Sequence, residues 1–336
     1  MSFCAFLLCL VLLCSLTLPV GAESGERQKC YVGGTPFGVR YFTDGILVVG
    51  YCDVTSGGKA RNPARDAGIK PGDAIVKIGN EAVEGVSDLA EEIGESGGRA
   101  LTLTVRREGE LFCVTLTPSA CDGDGRYRTG LWVRDTGAGI GTVTYVLENG
   151  KDFGGLGHGI CDSTSGCLVP IARGNVMGVT IGDVQKGAIG APGELKGHFT
   201  AGKTGMLGAN TVCGVFGVLT ERPKDTAGLL PVGRREELRE GEATCWCTLD
   251  ESGPQEYRIR ISDIHRTAHD NKCFTVTVTD RALLDKTGGI VQGMSGSPIV
   301  QNGRLVGAIT HVLIGDPTTG YGIFIENMLE NMPKAG

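Results

Sequence analysis

The sequence lacks any concentration of positive charge. Its 336 residues include 32 Lys and Arg against 38 Asp and Glu, which gives a formal net charge of −6 at pH 7. Proteins that bind nucleic acid present clusters of Lys and Arg to the phosphates. No basic stripe of this kind is visible along the chain, so the sequence excludes nucleic acid as a partner.

Metal and redox motifs are also missing. The chain has 13 cysteines, but Cys245 and Cys247 are separated by one residue, not by the two of a C-x-x-C motif. His265 and His269 have the spacing of the zinc-hydrolase motif H-E-x-x-H without its glutamate. A calcium loop beginning at Asp122 would lack its closing glutamate. The sequence therefore predicts no metal and no cofactor.

One stretch matches a nucleotide-binding motif by its letters alone. Residues 197–204 fit the pattern G-x-x-x-x-G-K-T. A working motif of this type follows a buried strand and opens a helix whose N-terminus holds phosphate. The preceding residues 193–196 do not form a strand pattern, and the following ones are rich in glycine and β-type residues. We therefore predict no nucleotide binding.

The beginning of the chain lacks charge. Residues 2–22 contain no charged side chain, and residues 3–20 are almost wholly apolar. A segment of this kind directs export, although the usual positive residues before it are missing. About 18 apolar residues is the lower limit for crossing a bilayer. Residues 1–22 are thus predicted to be a signal peptide or a membrane-associated signal anchor, followed by a polar linker over residues 23–33.

Glycine, in contrast, is abundant, with 55 residues. This much glycine implies many turns and favours β-rich domains over helical bundles. A chain of this length suggests two domains with appendages. The predicted domains are residues 34–118 and residues 130–336, and the polar, glycine-rich residues 119–129 are predicted to link them.

The second predicted domain contains a serine between glycines on a turn. Residues 293–298 read Gly-Met-Ser-Gly-Ser-Pro and precede an apolar β-type run. Glycines allow successive N–H groups to point to one side. A nucleophilic serine needs such donors for the oxyanion, and it needs a base. Ser295 is therefore a candidate nucleophile, with the N–H groups of Gly293 and Ser295 as the oxyanion hole. The alternative is an ordinary turn that leads into a strand.

A histidine stands in a matching environment upstream. Residues 157–162 read Gly-His-Gly-Ile-Cys-Asp and follow a predicted strand. Flanking glycines cannot bury an imidazole, and the chain has only five histidines. His158 is the one placed as a catalytic base would be, before the serine. A structural role is the alternative for any single histidine.

The first predicted domain resembles a PDZ domain of the bacterial peptidase-associated type. The most specific part is residues 67–73, Ala-Gly-Ile-Lys-Pro-Gly-Asp, set among short strands and a helix that Asp88 opens. In such domains a peptide adds as a strand between a glycine-containing loop and the longer helix. By this resemblance, the peptide-binding residues are Phe37, Gly38, Val39, Leu89 and Ile93.

The second domain resembles the SpoIVB (stage IV sporulation protein B) peptidase family. The likeness lies in residues 287–299, Thr-Gly-Gly-Ile-Val-Gln-Gly-Met-Ser-Gly-Ser-Pro-Ile, and in the Gly-His-Gly-Ile-x-Asp motif. It implies a mainly β fold in which the PDZ domain is followed by a chymotrypsin-like double β-barrel. It also implies that Asp280 orients the imidazole of His158 for Ser295. Asp162 is the competing carboxylate.

The same resemblance implies a role in sporulation signalling. A peptidase of this family is exported across the forespore inner membrane into the intermembrane space and cleaves itself. It then cuts a membrane-bound regulator, which activates an intramembrane protease and a late sigma factor. The expected partners are this protein substrate and a peptide held by the PDZ domain. The alternative is a non-catalytic PDZ scaffold with a degenerate barrel, against which the presence of both His158 and Ser295 argues.

Overall fold

The computed structural model describes residues 27–333 of the chain, so the predicted signal or anchor segment lies outside the described residues. The strands, in chain order, are β1 (Lys29–Val32), β2 (Pro36–Tyr51), β3 (Val54–Ser56), β4 (Lys59–Arg61), β5 (Ala74–Ile78), β6 (Glu81–Ala82), β7 (Leu101–Arg107), β8 (Glu110–Leu116), β9 (Ser119–Ala120), β10 (Tyr127–Arg128), β11 (Leu131–Leu147), β12 (Asp152–Gly155), β13 (Ile171–Gln185), β14 (Glu194–Thr211), β15 (Gly214–Leu219), β16 (Leu229–Pro231), β17 (Gly241–Thr248), β18 (Pro254–Ser262), β19 (Phe274–Val278), β20 (Pro298–Gln301), β21 (Arg304–Leu313) and β22 (Asp316–Phe324). The helices are α1 (Pro63–Asp66), α2 (Val86–Glu95), α3 (Arg281–Thr287) and α4 (Ile325–Asn331).

The first barrel is built from six strands. Its order is β2-β11-β12-β15-β14-β13, and it closes because β2 pairs with both β13 and β11. Alternate residues of the strands point inward, as the period of two requires. The buried core includes Phe37, Val39, Tyr41, Val143, Phe153, Val176 and Val215. Strand β1 adds to the outside of this barrel, between β11 and β16.

The PDZ domain is continuous with the first barrel, because both contain parts of β2 and β11. Strands β2 and β11 form one long antiparallel ribbon, which runs from the pair Pro36–Thr142 in the barrel to the pair Tyr51–Leu131 in the PDZ domain. Beyond the barrel, β2 pairs with β5, and the sheet continues through β7 to β8. Helix α2 covers this sheet. The PDZ core contains Ile46, Val48, Ile69, Ile75, Leu89, Ile93, Leu103, Val105 and Leu116.

The second barrel is closed by strands in the order β17-β18-β19-β22-β21-β20. The largest buried cluster fills this barrel and extends to Tyr145 and Phe216 of the first barrel. Its members in the second barrel include Cys245, Cys247, Ile259, Val276, Met294, Ile309 and Phe324. Helix α3 leads from β19 into the serine turn, which ends at β20. The serine turn therefore belongs to the second barrel and faces the first.

The predicted fold class, a mainly β chain with a PDZ domain and a double β-barrel, is confirmed. Three of the predicted bounds are wrong. The stretch predicted as a linker over residues 23–33 contains β1, whose Cys30 and Val32 are fully buried. Residues 36–43 pair within the first barrel, so the PDZ domain does not begin at residue 34. Residues 119–129 contain the paired strands β9 and β10.

Candidate active site

Ser295 stands on a tight turn between helix α3 and strand β20. Gly293 and Gly296 have φ values of 96° and 94°, in the left-handed region that glycine adopts readily. A Cβ atom on Gly296 would lie 2.1 Å from the carbonyl oxygen of Thr142, so the turn also requires glycine for space. Ser295 lines a cavity of about 290 Å³, whereas Ser297 is fully buried. Ser295 is therefore the serine of this turn that a substrate can reach.

The backbone N–H groups of Gly293 and Ser295 have no acceptor within residues 27–333. The carbonyl groups of the same two peptide units are held. The carbonyl of Gln292 accepts from the N–H of Leu195 at 2.8 Å, and that of Met294 accepts from the N–H three residues later at 2.9 Å. Because a peptide unit is planar, fixing its carbonyl also fixes the direction of its N–H. The turn thus offers two free donors of fixed direction, as an oxyanion hole requires.

His158 lines the same cavity as Ser295 and comes from the first barrel, just after β12. Its Nδ1 lies 2.8 Å from the carbonyl oxygen of Gly159. A carbonyl can only accept, so in the neutral ring Nδ1 carries the proton and Nε2 has the lone pair. A general base needs this tautomer, and here a backbone carbonyl fixes it.

The hydroxyl of Ser295 is not bonded to His158 in this structure. It donates to the carbonyl oxygen of Thr310 at 2.8 Å. The hydroxyl has to leave this carbonyl before it can donate to the imidazole. Catalytic hydrogen bonds are often formed fully only when substrate is bound. The serine and the histidine therefore line one cavity, but the serine hydroxyl donates to Thr310 and not to the histidine.

Burial favours the neutral form of His158. Burial lowers the pKa of the imidazole below its ordinary value, against a smaller opposing effect of the bond to Gly159. A base acts when neutral, and a lowered pKa keeps it neutral to lower pH. We therefore expect the rate at which a fluorophosphonate labels Ser295 to rise with pH around a midpoint below about 6.5, the ordinary histidine value. A midpoint above that value in the labelling-rate profile would contradict a buried base.

Asp280, the predicted orienting group, does not contact His158. It caps the N-terminus of α3, where its Oδ1 accepts from the N–H groups of Ala282 and Leu283 at 3.0 and 3.3 Å. Its other carboxylate oxygen lies 3.3 Å from the backbone nitrogen of Arg258. Burial raises the pKa of Asp280, but these N–H groups and the guanidinium of Arg258 together bring the pKa below its ordinary value. The prediction is corrected: the contacts of Asp280 are those of a helix cap.

Asp162, the competing carboxylate, does not contact His158 either. Its Oδ1 accepts from backbone N–H groups of the turn that follows it, and its Oδ2 lies 3.4 Å from the guanidinium of Arg134. The side chain that lies beside His158 is His311, with ring centroids 4.9 Å apart. The imidazole thus has a second imidazole as its neighbour, and its tautomer is fixed by Gly159.

Sequence reasoning gave His311 no role. It lies on β21, the second strand after the serine turn, and its Nδ1 is buried without a hydrogen-bond partner in the described part of the chain. Burial, then the nearby charges of His158 and Lys272, lower its pKa to about 4. His311 is therefore neutral near pH 7. The sequence signal that could have identified it is a histidine near the end of the second β-type run after the nucleophile turn.

The groove of the PDZ domain lies between helix α2 and the start of β11. A cavity of about 650 Å³ is lined there by Leu89 and Ile93, two of the predicted residues, and by Leu131 and Val133. Among residues 27–333, only β2 pairs with this part of β11, so the other edge of β11 faces the helix. An open strand edge beside a helix is the arrangement into which a peptide adds as a further strand.

Phe37, Gly38 and Val39 do not form the PDZ loop that was predicted. They lie in the barrel half of β2, where Phe37 and Val39 are buried in the core. Val39 also lines the cavity that contains Ser295. The glycine that precedes the groove strand is Gly130, with a φ of 75°. Residues 129–133, Thr-Gly-Leu-Trp-Val, carry this signal in the sequence, but the predicted bounds place residue 130 at the start of the second domain.

The remaining motifs do not form sites. Residues 197–204, which match the nucleotide-binding pattern, lie inside strand β14, so they do not open a helix. In the part of the chain that the structure describes, no three His, Cys, Asp or Glu side chains converge as metal ligands. Over the same residues, no helix combines the length and the apolar character needed to cross a membrane.

Two family models match the chain. The model described as SpoIVB peptidase S55 matches residues 125–329, which is more than half of the chain and includes His158 and Ser295. A PDZ domain model matches residues 54–107. The first match spans the second barrel and most of the first, and the second lies within the PDZ domain that the structure shows.

Two curated proteins are similar over short stretches. A putative zinc metalloprotease of Treponema pallidum (strain Nichols) is 34% identical over 71 residues, which are 21% of this chain and 16% of that protein. A putative zinc metalloprotease of Rickettsia conorii is 37% identical over 59 residues, 18% of this chain and 16% of that protein. The chain thus spans about a sixth of the length of these relatives.

Among solved structures, the Rv3671c protease of M. tuberculosis in its active form is similar at 14% identity and a TM-score of 0.31, over 60% of this chain and 76% of that one. Human heparin binding protein is similar at 14% identity and a TM-score of 0.26, over 48% and 70% of the two chains. A PDZ domain from Listeria monocytogenes is similar at 20% identity and a TM-score of 0.22, over 27% and 87%.

Proposed function

Since the chain belongs to the SpoIVB peptidase S55 family and is therefore a serine peptidase, we propose that Ser295 is its nucleophile and His158 its general base. One observation carries this assignment. Ser295 from the second barrel, His158 from the first, and Gly293 of the oxyanion hole line a single cavity. Each group has the free atom that acyl transfer needs: an accessible hydroxyl, an unprotonated Nε2 and unpaired N–H donors.

The chemistry follows from these atoms. The hydroxyl of Ser295 leaves the carbonyl of Thr310, passes its proton to Nε2 of His158, and forms a bond to the substrate carbonyl carbon. The carbonyl π electrons move to the oxygen, which the N–H groups of Gly293 and Ser295 bind. When the C–N bond breaks, His158 returns the proton to the leaving amine. Water then attacks the acyl-enzyme by the same steps, with His158 again as the base.

The substrate is a protein or peptide, and the PDZ domain is the second place where the chain holds it. The groove offers the open edge of Leu131 to Val133, to which a peptide backbone can bond, and the apolar side chains of Leu89 and Ile93. The ribbon of β2 and β11 joins this groove to the cavity of Ser295. A segment held in the groove is therefore kept near the peptidase site.

For the biological role, we retain the family expectation of sporulation signalling. The proposed substrate is a membrane-bound regulator of an intramembrane protease, reached after export across the forespore inner membrane and leading to activation of a late sigma factor. The proposed self-cleavage would have to fall before Arg27. The guanidinium of Arg27 makes two hydrogen bonds to Glu237, at 2.6 and 3.0 Å, and β1 follows directly within the sheet.

Labelling with a fluorophosphonate, followed by mass spectrometry of the labelled peptide, tests the enzymatic assignment. We expect one adduct on the peptide that contains residues 293–298, located on Ser295. The bond from Ser295 to Thr310 in place of His158 is the observation that favours the alternative, a non-catalytic PDZ scaffold. A correctly folded protein that takes up no label at any pH between 5 and 9 would establish that alternative.

A further inference from the structure

Thr142 of strand β11 binds the serine turn at two places. Its hydroxyl donates to the carbonyl oxygen of Gly293 at 2.8 Å, and its backbone N–H donates to the carbonyl oxygen of Ser295 at 2.9 Å. Thr142 is only 2% exposed, so water does not compete for these bonds. Thr142 thus holds the serine turn from the first barrel, together with Thr144, whose hydroxyl donates to the carbonyl oxygen of Gly296 at 2.8 Å.

Thr142 thus binds the carbonyl groups of Gly293 and Ser295. The peptide unit between Met294 and Ser295, which carries the N–H of Ser295, lies between these two carbonyl groups in the chain. The same hydroxyl bond fixes the residue Gly293, whose own N–H is the other free donor. With φ near 96°, Gly293 has more conformational freedom than any other residue type at this position. The bonds on the carbonyls of Gln292 and Met294 fix the two donor peptide units from outside, and the bond from Thr142 restrains the Gly293 carbonyl that lies between the two donors.

We propose that Thr142 is a positioning residue for the oxyanion hole, and that its hydroxyl holds the N–H groups of Gly293 and Ser295 toward the developing oxyanion. This inference rests on the proposed function, since it requires that Ser295 reacts. Thr142 does not touch the substrate in this role. It acts through the direction of two backbone dipoles, which are effective only when preorganised.

The test compares variants by the second-order rate constant for fluorophosphonate labelling, because phosphonylation also places negative charge on an oxygen in the hole. Thr142→Val keeps the side-chain shape and removes the hydroxyl. Loss of one oxyanion donor costs about 100- to 1000-fold, and a misdirected donor costs less, so we expect a fall of about 10- to 100-fold. Thr142→Ser, which restores the hydroxyl, should recover most of the wild-type rate.

The midpoint of the pH profile separates this role from an effect on the base. It should be the same in Thr142→Val and wild type, because the hydroxyl acts on the oxyanion side and not on His158. The matched control is Thr248→Val. Thr248 is also buried and its hydroxyl also donates to a glycine carbonyl, that of Gly34, at 2.9 Å, but this hydroxyl does not bind the serine turn. Its labelling rate should equal that of wild type.

The outcomes are distinguishable. Wild-type protein that takes up no label would overturn the proposed nucleophile and this inference with it. Normal labelling of wild type together with an unchanged rate in Thr142→Val would overturn the inference alone, as would a Thr142→Ser rate as low as that of valine or a shifted pH midpoint. If thermal unfolding shows that Thr142→Val does not fold, Thr142→Cys, of similar volume and with only a weak donor, gives the same comparison.

Discussion

Ser295→Ala is expected to abolish both peptide-bond cleavage and fluorophosphonate labelling while leaving the fold intact. Removal of the catalytic serine from a serine peptidase with a full triad lowers kcat by about a millionfold, and without the hydroxyl no covalent adduct can form on this residue. The structural cost is small. In the part of the chain that the structure describes, the side chain of Ser295 makes a single hydrogen bond, to Thr310, so the variant should lose about 1 kcal/mol or less of unfolding free energy.

The matched control for this experiment is Ser297→Ala, two residues along the same turn. Ser297 is fully buried, and its hydroxyl has no hydrogen-bond partner within residues 27–333. Removing an unpaired buried hydroxyl is neutral or stabilising, so cleavage, labelling and the midpoint of thermal unfolding should remain at least at wild-type values. Cleavage retained in Ser295→Ala and lost in Ser297→Ala would show that the nucleophile has been assigned to the wrong serine.

The sequence predicted those parts of the candidate site that depend on local glycine patterns. Ser295 and His158 each stand beside glycines that leave the side chain open to the cavity, and a short segment is enough to show this. Asp280 required a contact between distant segments, and the family pattern alone pointed to it. A local signal favoured another role, since an aspartate followed by Arg-Ala-Leu-Leu is typical of a helix N-cap, and this is the role that the structure gives it.

The domain bounds could not be predicted from the sequence for a different reason. Strand β2 is 16 residues long, and this single strand serves the barrel core at Phe37 and the PDZ core at Ile46. The dipeptide Asp44-Gly45, with Gly45 at a φ of 85°, stands where the chain passes from one core to the other, but strand β2 continues through it, so this turn signal does not predict a change of domain. The strands that pair with the two halves of β2 are β11 and β13 in the barrel and β5 in the PDZ domain. Because most of this pairing joins residues far apart in the chain, the sequence of β2 alone does not indicate it.

This arrangement leads to a second prediction, for a chain that begins at residue 130. The predicted domain bounds would make residues 130–336 an independent peptidase, whereas the structure indicates that this piece will not fold. It lacks β2, which closes the first barrel between β11 and β13. The loss of Phe37, Val39 and Tyr41 removes about 5–9 kcal/mol of burial, at about 1.5–3 kcal/mol for each side chain. That is comparable with the whole stability of a domain, about 5–15 kcal/mol.

The matched variant deletes the PDZ domain, which is internal to the chain, and keeps the barrel parts of β2 and β11. Phe42 pairs with Thr136 at the end of the barrel ribbon, so Thr43 can be joined to Asp135 by Asn-Gly, the usual two-residue hairpin turn, in place of residues 44–134. We expect this shorter chain to unfold cooperatively on heating and to take up the fluorophosphonate on Ser295, whereas residues 130–336 alone should be insoluble or unlabelled. Labelling of the truncated piece at the wild-type rate would mean that β2 is not part of the catalytic unit. Failure of both chains would mean that the PDZ core, and not β2 alone, is needed to hold the ribbon against the serine turn.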